Sequence, residues 1–181
     1  MARNAGRQLV LLRHAKSAWP DVADHERPLA LRGRRDAPLA GQWLQAAGYV
    51  PDRVVCSTAR RARETWQRAA AQLDAAPAAS FDPRVYGASA AGLLELTRET
   101  VAGTRTLLVV GHEPAMRELT LALASAQASD ADALDRVRFK FPTAAIAVLE
   151  LAGTWPELGP QQARLAAFVL PRDLRAGDAG G

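Results

Sequence analysis

The chain has 181 residues, of which 49% are hydrophobic and 23% charged, as is usual for a globular protein. Its single cysteine excludes an intrachain disulfide and a cysteine-based zinc site. No apolar run approaches the roughly 20 residues that a membrane span needs, and the run at 9–12 is too short for a signal peptide. We therefore expect one domain over 1–181, with a core at about 8–171 and disordered ends, in a cytoplasmic protein that does not bind membranes.

The excess of 23 lysines and arginines over 19 acidic residues does not, in our interpretation, indicate a nucleic acid partner. Lys16 and Lys140 are the only lysines, so a coding bias toward arginine and alanine accounts for the excess. The arginines are also interspersed with acids instead of forming a basic block. We expect no nucleic acid partner.

Short apolar runs alternate with longer segments of helical periodicity, which predicts strands separated by helices. Gly48 is expected to close the first helix, and Ser89 to cap the start of the third. The pattern predicts an α/β fold with a largely parallel sheet and a closing antiparallel pair. In chain order the predicted elements are strand 8–12, helix 33–47, strand 53–56, helix 58–73, a weak strand 79–85, helix 89–101, strand 106–110, helix 113–125, and strands 144–151 and 164–170.

Polar side chains follow three of the apolar strands. Arg13 and His14 follow the first, Arg60 and Arg61 come shortly after the second, and His112 follows the fourth. The carboxyl ends of parallel strands meet at one edge of a sheet, so these imidazoles and guanidiniums are expected to lie close together. Such a cluster of cations repels itself unless an anion binds there. Arginine suits a tetrahedral phosphate and a neutral imidazole is a competent nucleophile, so the inferred ligand is a phosphoryl group.

Three segments resemble the signatures of the histidine phosphatase superfamily. Residues 13–19, Arg-His-Ala-Lys-Ser-Ala-Trp, resemble its Arg-His-Gly motif, residues 57–65 its second motif, and residues 111–114, Gly-His-Glu-Pro, its third. Within the superfamily the chain is most similar to the SixA-type phosphohistidine phosphatases, through the early loop 24–29 and the segments 85–89 and 141–144. The resemblance covers about residues 9–151.

The resemblance implies a phosphoglycerate mutase-like fold, a three-layer α/β/α sandwich with a mostly parallel central sheet. It implies a hydrolase that needs no metal and no cofactor, in which His14 attacks phosphorus and becomes phosphohistidine. Arg13 and Arg61 would clamp the phosphoryl oxygens, and His112 would donate to the same group. Arg60 is the alternative to Arg61, which fits the family's Arg-Ala-x-x-Thr register.

Three further residues are expected to bind substrate. Ser17 offers a hydroxyl donor, although it could equally cap local backbone, and Asp24 and Arg27 belong to the SixA-like early loop. Asp24 is also the best candidate for a general acid, because the loop at 86–92 has no acidic residue where mutase-like relatives place theirs. A missing acid favours an N-phosphorylated substrate, whose leaving imidazole can be protonated without help.

Two departures from the family pattern argue against a mutase. Ala15 stands where the family has glycine, which indicates backbone angles in an ordinary region. Pro20 stands where mutase-like relatives carry asparagine.

The favoured function is a protein phosphohistidine phosphatase, a monomer acting on a phosphorylated protein histidine or a small phosphorylated metabolite. One alternative is a broad-specificity small-molecule phosphatase of the same superfamily, and another is a non-catalytic domain that binds phosphate or a phosphoprotein. A zinc site built from the histidines with Asp24 or Glu113 is disfavoured, since the chain has no His-Glu-x-x-His helix and arginines crowd the histidines.

Overall fold

Six strands and six helices alternate along residues 6–177, the part of the chain that the computed structural model describes. The strands are β1 (Arg7–Arg13), β2 (Arg53–Ser57), β3 (Ala79–Asp82), β4 (Thr106–Gly111), β5 (Ile146–Leu151) and β6 (Ala163–Val169). The helices are α1 (Leu31–Ala47), α2 (Arg60–Ala70), α3 (Ala90–Arg98), α4 (Ala115–Leu123), α5 (Ala131–Phe139) and α6 (Pro171–Gly177). Single 3-10 turns lie at Asp24–Glu26 and Pro83–Val85.

The strands form one mixed sheet in the order β3-β2-β4-β1-β5-β6. The first four are mutually parallel, whereas β5 pairs antiparallel with β1 and β6 pairs antiparallel with β5. The predicted α/β class, the largely parallel sheet and the antiparallel closing pair are therefore confirmed. Because Arg13 pairs in register with Gly111, β1 and β4 end at the same level. The residues that follow them, His14 and His112, therefore lie side by side.

Helices cover both faces of the sheet, as the expected three-layer sandwich requires. Along β1, Leu9 and Leu11 face one core and Val10 and Leu12 face the other, and all four are fully buried. Helices α3, α4 and α5 pack on the first face, and α1, α2 and α6 on the second. Each such buried side chain contributes about 1.5–3 kcal/mol of hydrophobic stabilisation, so the central strands are a rigid support for the residues that follow them.

Most predicted boundaries lie within a few residues of the observed ones. Gly48 ends α1 in the left-handed conformation at φ 66°, and the Ser89 hydroxyl accepts the backbone N–H of Gly92 at the start of α3. The predicted strand 79–85 is too long, because Pro83 cannot donate to the ladder and begins a 3-10 turn. Helices α5 and α6 were not predicted.

The expected disorder of the ends falls partly outside the described residues, which exclude 1–5 and 178–181. Within them, β1 already begins at Arg7 and α6 continues to Gly177. None of the helices within 6–177 is long and apolar enough to cross a membrane.

Candidate active site

His14 lies one residue beyond β1, where the backbone holds it firmly. Its N–H donates to the carbonyl of Gly111 at 3.0 Å, and the N–H of Ala15 donates to the Thr65 hydroxyl at 3.0 Å. The imidazole Nδ1 lies 2.8 Å from the carbonyl oxygen of Ala15. A carbonyl can only accept, so in the neutral ring Nδ1 carries the hydrogen and Nε2 carries the lone pair.

The His14 imidazole is neutral at physiological pH. Only 7% of the residue is exposed, and burial lowers its pKa to about 3. The hydrogen bond to Ala15 opposes this change in pKa, whereas the charges of His112, Arg61 and Arg13 add to it. A neutral, oriented imidazole with a free Nε2 lone pair can act as a nucleophile.

His112 follows β4 and lies beside His14, with 5.0 Å between the ring centroids. Its Nε2 is 2.7 Å from the Ser57 hydroxyl, which also accepts the N–H of Ala59. Burial, followed by the charge of Arg61, lowers the pKa of His112 to about 4. If the serine hydroxyl donates to Nε2, the proton of neutral His112 lies on Nδ1. That buried Nδ1 has no hydrogen-bond partner within residues 6–177.

Arg13 belongs to the same cluster. Its Nη1 donates to the carbonyl of Phe141 at 2.7 Å, while its Nε is buried without a partner among the described residues. Burial lowers the pKa of Arg13, and the neighbouring charge of Arg61 adds to that effect. Two buried nitrogens, Nε of Arg13 and Nδ1 of His112, thus lack a hydrogen-bond partner among the described residues, which is rare in proteins and marks a place where a ligand fits.

Arg61 comes from the first turn of α2 and is 7% exposed. Its Nη1 donates to the backbone carbonyl of Asp24 at 2.6 Å, and its Nη2 to the Asp24 carboxylate at 3.0 Å. Arg60 instead pairs with Glu64 on the exposed side of the helix. The structure therefore brings Arg61, and not Arg60, to the two histidines.

Asp24 is an ionised hydrogen-bond acceptor, which argues against the proton-donor role considered above. Oδ2 accepts from the Tyr86 hydroxyl at 2.8 Å and from Arg61, and Oδ1 accepts from Arg27 at 2.9 Å. The hydrogen bond from Tyr86, followed by that from Arg27, lowers the pKa of Asp24 well below its usual range. A carboxylate that stays ionised at neutral pH has no proton to give to a leaving group.

Arg27 and Ser17 hydrogen-bond to each other and to their own loop, and the expectation that both bind substrate stays a prediction. The buried Arg27 guanidinium donates to Asp24, to the Ser17 hydroxyl at 2.6 Å and to the carbonyl of Ala18 at 3.0 Å. It also stacks on the Trp19 ring, 3.2 Å from the ring centroid. These contacts position Asp24, and through it Arg61, which is a supporting role.

Tyr86 and Glu113 are two neighbours that the sequence interpretation did not place in the site. Tyr86 packs edge-on against His112, with centroids 5.6 Å apart, and holds Asp24. Glu113 is partly buried, which raises its pKa, while the charge of Arg13 opposes that rise. Their positions in the sequence could have indicated that both lie near the site. Tyr86 begins the loop at 86–92, in which mutase-like relatives place an acid, and Glu113 directly follows His112.

The backbone at Ala15 bears out the interpretation of the missing glycine. Ala15 is fully buried and is not among the residues with positive φ, so alanine fits there without strain. A search of the described residues finds no group of three or more His, Cys, Asp and Glu side chains that could hold a metal ion.

Comparison with known proteins assigns this geometry to a family. The sequence matches the family model of the histidine phosphatase superfamily (branch 1) over residues 9–89. A solved structure from Nakamurella multipartitia, described as a candidate phosphohistidine phosphatase SixA, superposes with a TM-score of 0.81 at 33% identity, covering 93% of this chain and 98% of that one. The chain belongs to the histidine phosphatase superfamily.

The family and the SixA-like neighbours together support a phosphatase, and the chain has the phosphoglycerate mutase-like fold of the SixA structures. An uncharacterized protein of Mycobacterium tuberculosis is 48% identical over 162 residues, which are 89% of this chain and 100% of the relative. The phosphohistidine phosphatase SixA of Escherichia coli is 28% identical over 109 residues, 59% of this chain and 68% of that protein.

Proposed function

We propose that this histidine phosphatase is a SixA-like protein phosphohistidine phosphatase that works through a phosphohistidine on His14. The observation that carries the proposal is the state of the His14 ring. Burial keeps it neutral, and the contact from Nδ1 to the carbonyl of Ala15 leaves the lone pair on Nε2. The names of the SixA relatives support the choice of substrate.

The reaction runs in two displacements. Nε2 of His14 attacks phosphorus, the P–N bond to the substrate imidazole breaks, and that imidazole takes up a proton as it leaves. Water then attacks the phosphoryl group on His14, which releases inorganic phosphate and restores the free ring. Transition states for phosphoryl transfer spread charge over the non-bridging oxygens, so positioning and electrostatic stabilisation supply most of the rate.

The donors for those oxygens are the cationic groups around His14. Nε of Arg13 and Nδ1 of His112 lack partners among the described residues, and a phosphoryl oxygen would satisfy both. Arg61 adds positive charge, since its contacts with Asp24 fix the guanidinium beside the histidines. The resulting concentration of positive charge supports a mechanism without a metal ion, because it would repel a divalent cation.

The absence of a ready proton donor at Asp24 supports an N-phosphorylated substrate. An alkyl ester leaves as an alkoxide and depends on a general acid, whereas a phosphoramidate leaves as an imidazole that accepts a proton from solvent. With Asp24 held ionised, the site is better matched to the second kind of leaving group.

The second candidate is a phosphatase of small phosphate esters, which one observation favours. Burial raises the pKa of Glu113, directly after His112, and a carboxyl with a raised pKa is suited to protonate a leaving oxygen. This alternative uses the same nucleophile and differs only in substrate.

The test compares turnover of a phosphohistidine peptide and an aryl phosphate ester, in excess EDTA, for the wild type and His14→Ala. We expect the peptide to be the better substrate, with activity indifferent to EDTA and lost in the variant. Full activity in His14→Ala, or loss of activity in EDTA, would contradict the covalent mechanism. Turnover of the ester alone would establish the second candidate, and phosphate binding without any turnover would establish a non-catalytic domain.

A further inference from the structure

A shallow depression of about 330 Å³ lies between the start of α1 and the end of α5. We call it the basic face, and it comprises Arg32, Arg136, Phe139, Lys140, Pro142 and Arg172. Its floor includes Leu170 and Pro171, where β6 gives way to α6. None of these residues has a role in the phosphoryl transfer described above.

The basic face adjoins the active site through two segments. Lys140 and Pro142 flank Phe141, whose carbonyl accepts the hydrogen bond from Arg13. On the other side, Arg32 precedes Gly33, which packs so tightly on the backbone of Lys16 that an added Cβ would lie 2.1 Å from its carbonyl oxygen. Lys16 is two residues from His14, so the basic face borders two segments that carry active-site residues.

The charges on this face are only partly neutralised. Arg136 and Arg172 share Asp173, at 2.9 and 3.6 Å, and Arg32 pairs with the buried Asp36 at 3.3 Å. Lys140 has no ion-pair partner within the described part of the chain. Four cations against two carboxylates leave a net positive surface.

An apolar side chain stands in the middle of these charges. Phe139 is the last residue of α5 and is 87% exposed, although burying such a ring would stabilise the protein. An exposed aromatic residue rimmed by arginine and lysine has the composition of a protein interface, with an apolar centre and a charged rim.

We propose that the basic face is the docking surface for the phosphohistidine-bearing substrate protein, and that this partner presents acidic side chains and an apolar residue around its histidine. The inference rests on the proposed function. His14 is 7% exposed and a histidine side chain is short, so a folded phosphoprotein must press its own surface on the rim of the site to deliver its phosphoryl group. A second copy of this chain is disfavoured as the occupant, because a two-fold contact would bring like charges together.

The test uses two phosphohistidine peptides of equal length. In one the phosphohistidine is flanked by glutamates and a leucine, and in the other by lysines and a leucine. Free phosphohistidine is the third substrate. The enzyme variants are Lys140→Glu/Arg172→Glu and Phe139→Ala. The matched control is Arg105→Glu, which changes an exposed arginine at the opposite end of the sheet, before β4.

In the double variant we expect the kcat/KM for the acidic peptide, relative to that for free phosphohistidine, to fall about tenfold through loss of electrostatic steering. In the same variant the kcat/KM for the lysine-flanked peptide, relative to that for free phosphohistidine, should rise. A merely structural defect would not reverse the preference between the two peptides. Phe139→Ala should lower the ratio for both peptides, and Arg105→Glu should leave all ratios unchanged.

Equal ratios in the wild type and the double variant would overturn the docking surface while leaving the phosphohistidine phosphatase intact. A wild-type dimer that Phe139→Asp converts to a monomer, with unchanged peptide ratios, would overturn it in favour of self-association. If neither peptide nor free phosphohistidine is turned over while a phosphate ester is, the proposed function itself fails and the inference falls with it.

Discussion

Arg61 and Asp24 are joined at two points, since the guanidinium donates both to the backbone carbonyl and to the carboxylate of Asp24, at 2.6 and 3.0 Å. The 3-10 turn that carries Asp24 is thereby tied to the first turn of α2, and the carboxylate also accepts from Tyr86 and Arg27. Asp24 thus connects three chain segments, and it fixes the position of Arg61.

Replacing Asp24 by asparagine should test this positioning role. Asp24→Asn removes charge-assisted hydrogen bonds to Arg61 and Arg27, each worth about 1.5–3 kcal/mol, so kcat/KM should fall by about tenfold or more. Because Asp24 is ionised, the loss should be the same for a phosphohistidine peptide and an alkyl phosphate ester, whose alkoxide leaving group depends on a general acid. Asp21→Asn, in the same exposed loop, is the control. A loss confined to the ester would show that Asp24 donates a proton after all.

The two buried histidines should make stability depend on pH. Burial lowers the pKa of His112 to about 4 and that of His14 to about 3, whereas unfolded histidine titrates near 6.5. Between these values the unfolded chain binds protons that the folded chain does not, so stability falls as pH falls from about 6.5 toward 4. Between pH 7.5 and pH 5, the free energy of unfolding measured in urea should fall by about 1–2 kcal/mol more in the wild type than in His112→Gln. Parallel losses in both proteins would contradict the buried neutral state of His112.

Substitution of Glu113 separates the two candidate substrates. If phosphohistidine is the substrate, Glu113→Gln should leave the turnover of a phosphohistidine peptide unchanged, because a leaving imidazole needs no carboxylic acid. A general acid contributes about 10²–10⁴ in rate, so a loss of that size on the ester alone would support the ester phosphatase. Glu118→Gln, at an exposed position in α4, serves as the control.

The contact between Gly33 and Lys16 should not tolerate a side chain. At an exposed helical position, alanine stabilises a helix by about 1 kcal/mol relative to glycine. At Gly33, however, a Cβ would lie 2.1 Å from the carbonyl oxygen of Lys16. Such overpacking costs about 1–3 kcal/mol of stability. Gly33→Ala should therefore destabilise the protein and lower activity, because Lys16 is two residues from His14. Gly92→Ala, at an exposed position of α3, should instead stabilise it. Equal effects of both variants on thermal unfolding would refute the close contact.

The sequence was informative wherever a single local signal sufficed. The apolar runs of β1 and β4 have no polar interruption and are buried on both faces, so their ends, and the pairing of His14 with His112, could be inferred. Helix α5 was missed because, among its nine residues, only Leu134 and Val137 are buried, which is too little apolar periodicity to detect.

The role of Asp24 could not be read from the sequence for a different reason. Besides Arg27 in its own loop, its hydrogen-bond partners are Tyr86 and Arg61, which lower its pKa and lie 62 and 37 residues away along the chain. No local pattern encodes such contacts, since the fold alone brings the three side chains together. The same holds for Arg27, since only the fold shows its stacking on Trp19 and its hydrogen bond to Ser17.

The most direct test of the central claim is to trap the phosphorylated enzyme. Wild type mixed with a phosphohistidine peptide would be quenched in alkali within the first turnover, and the phosphoryl group located by digestion and ³¹P NMR. The account predicts phosphohistidine on His14 with the phosphoryl group on Nε2, because Nδ1 is bound to the carbonyl of Ala15. A phosphoryl group on Nδ1, or turnover without any phosphorylated His14, would contradict it.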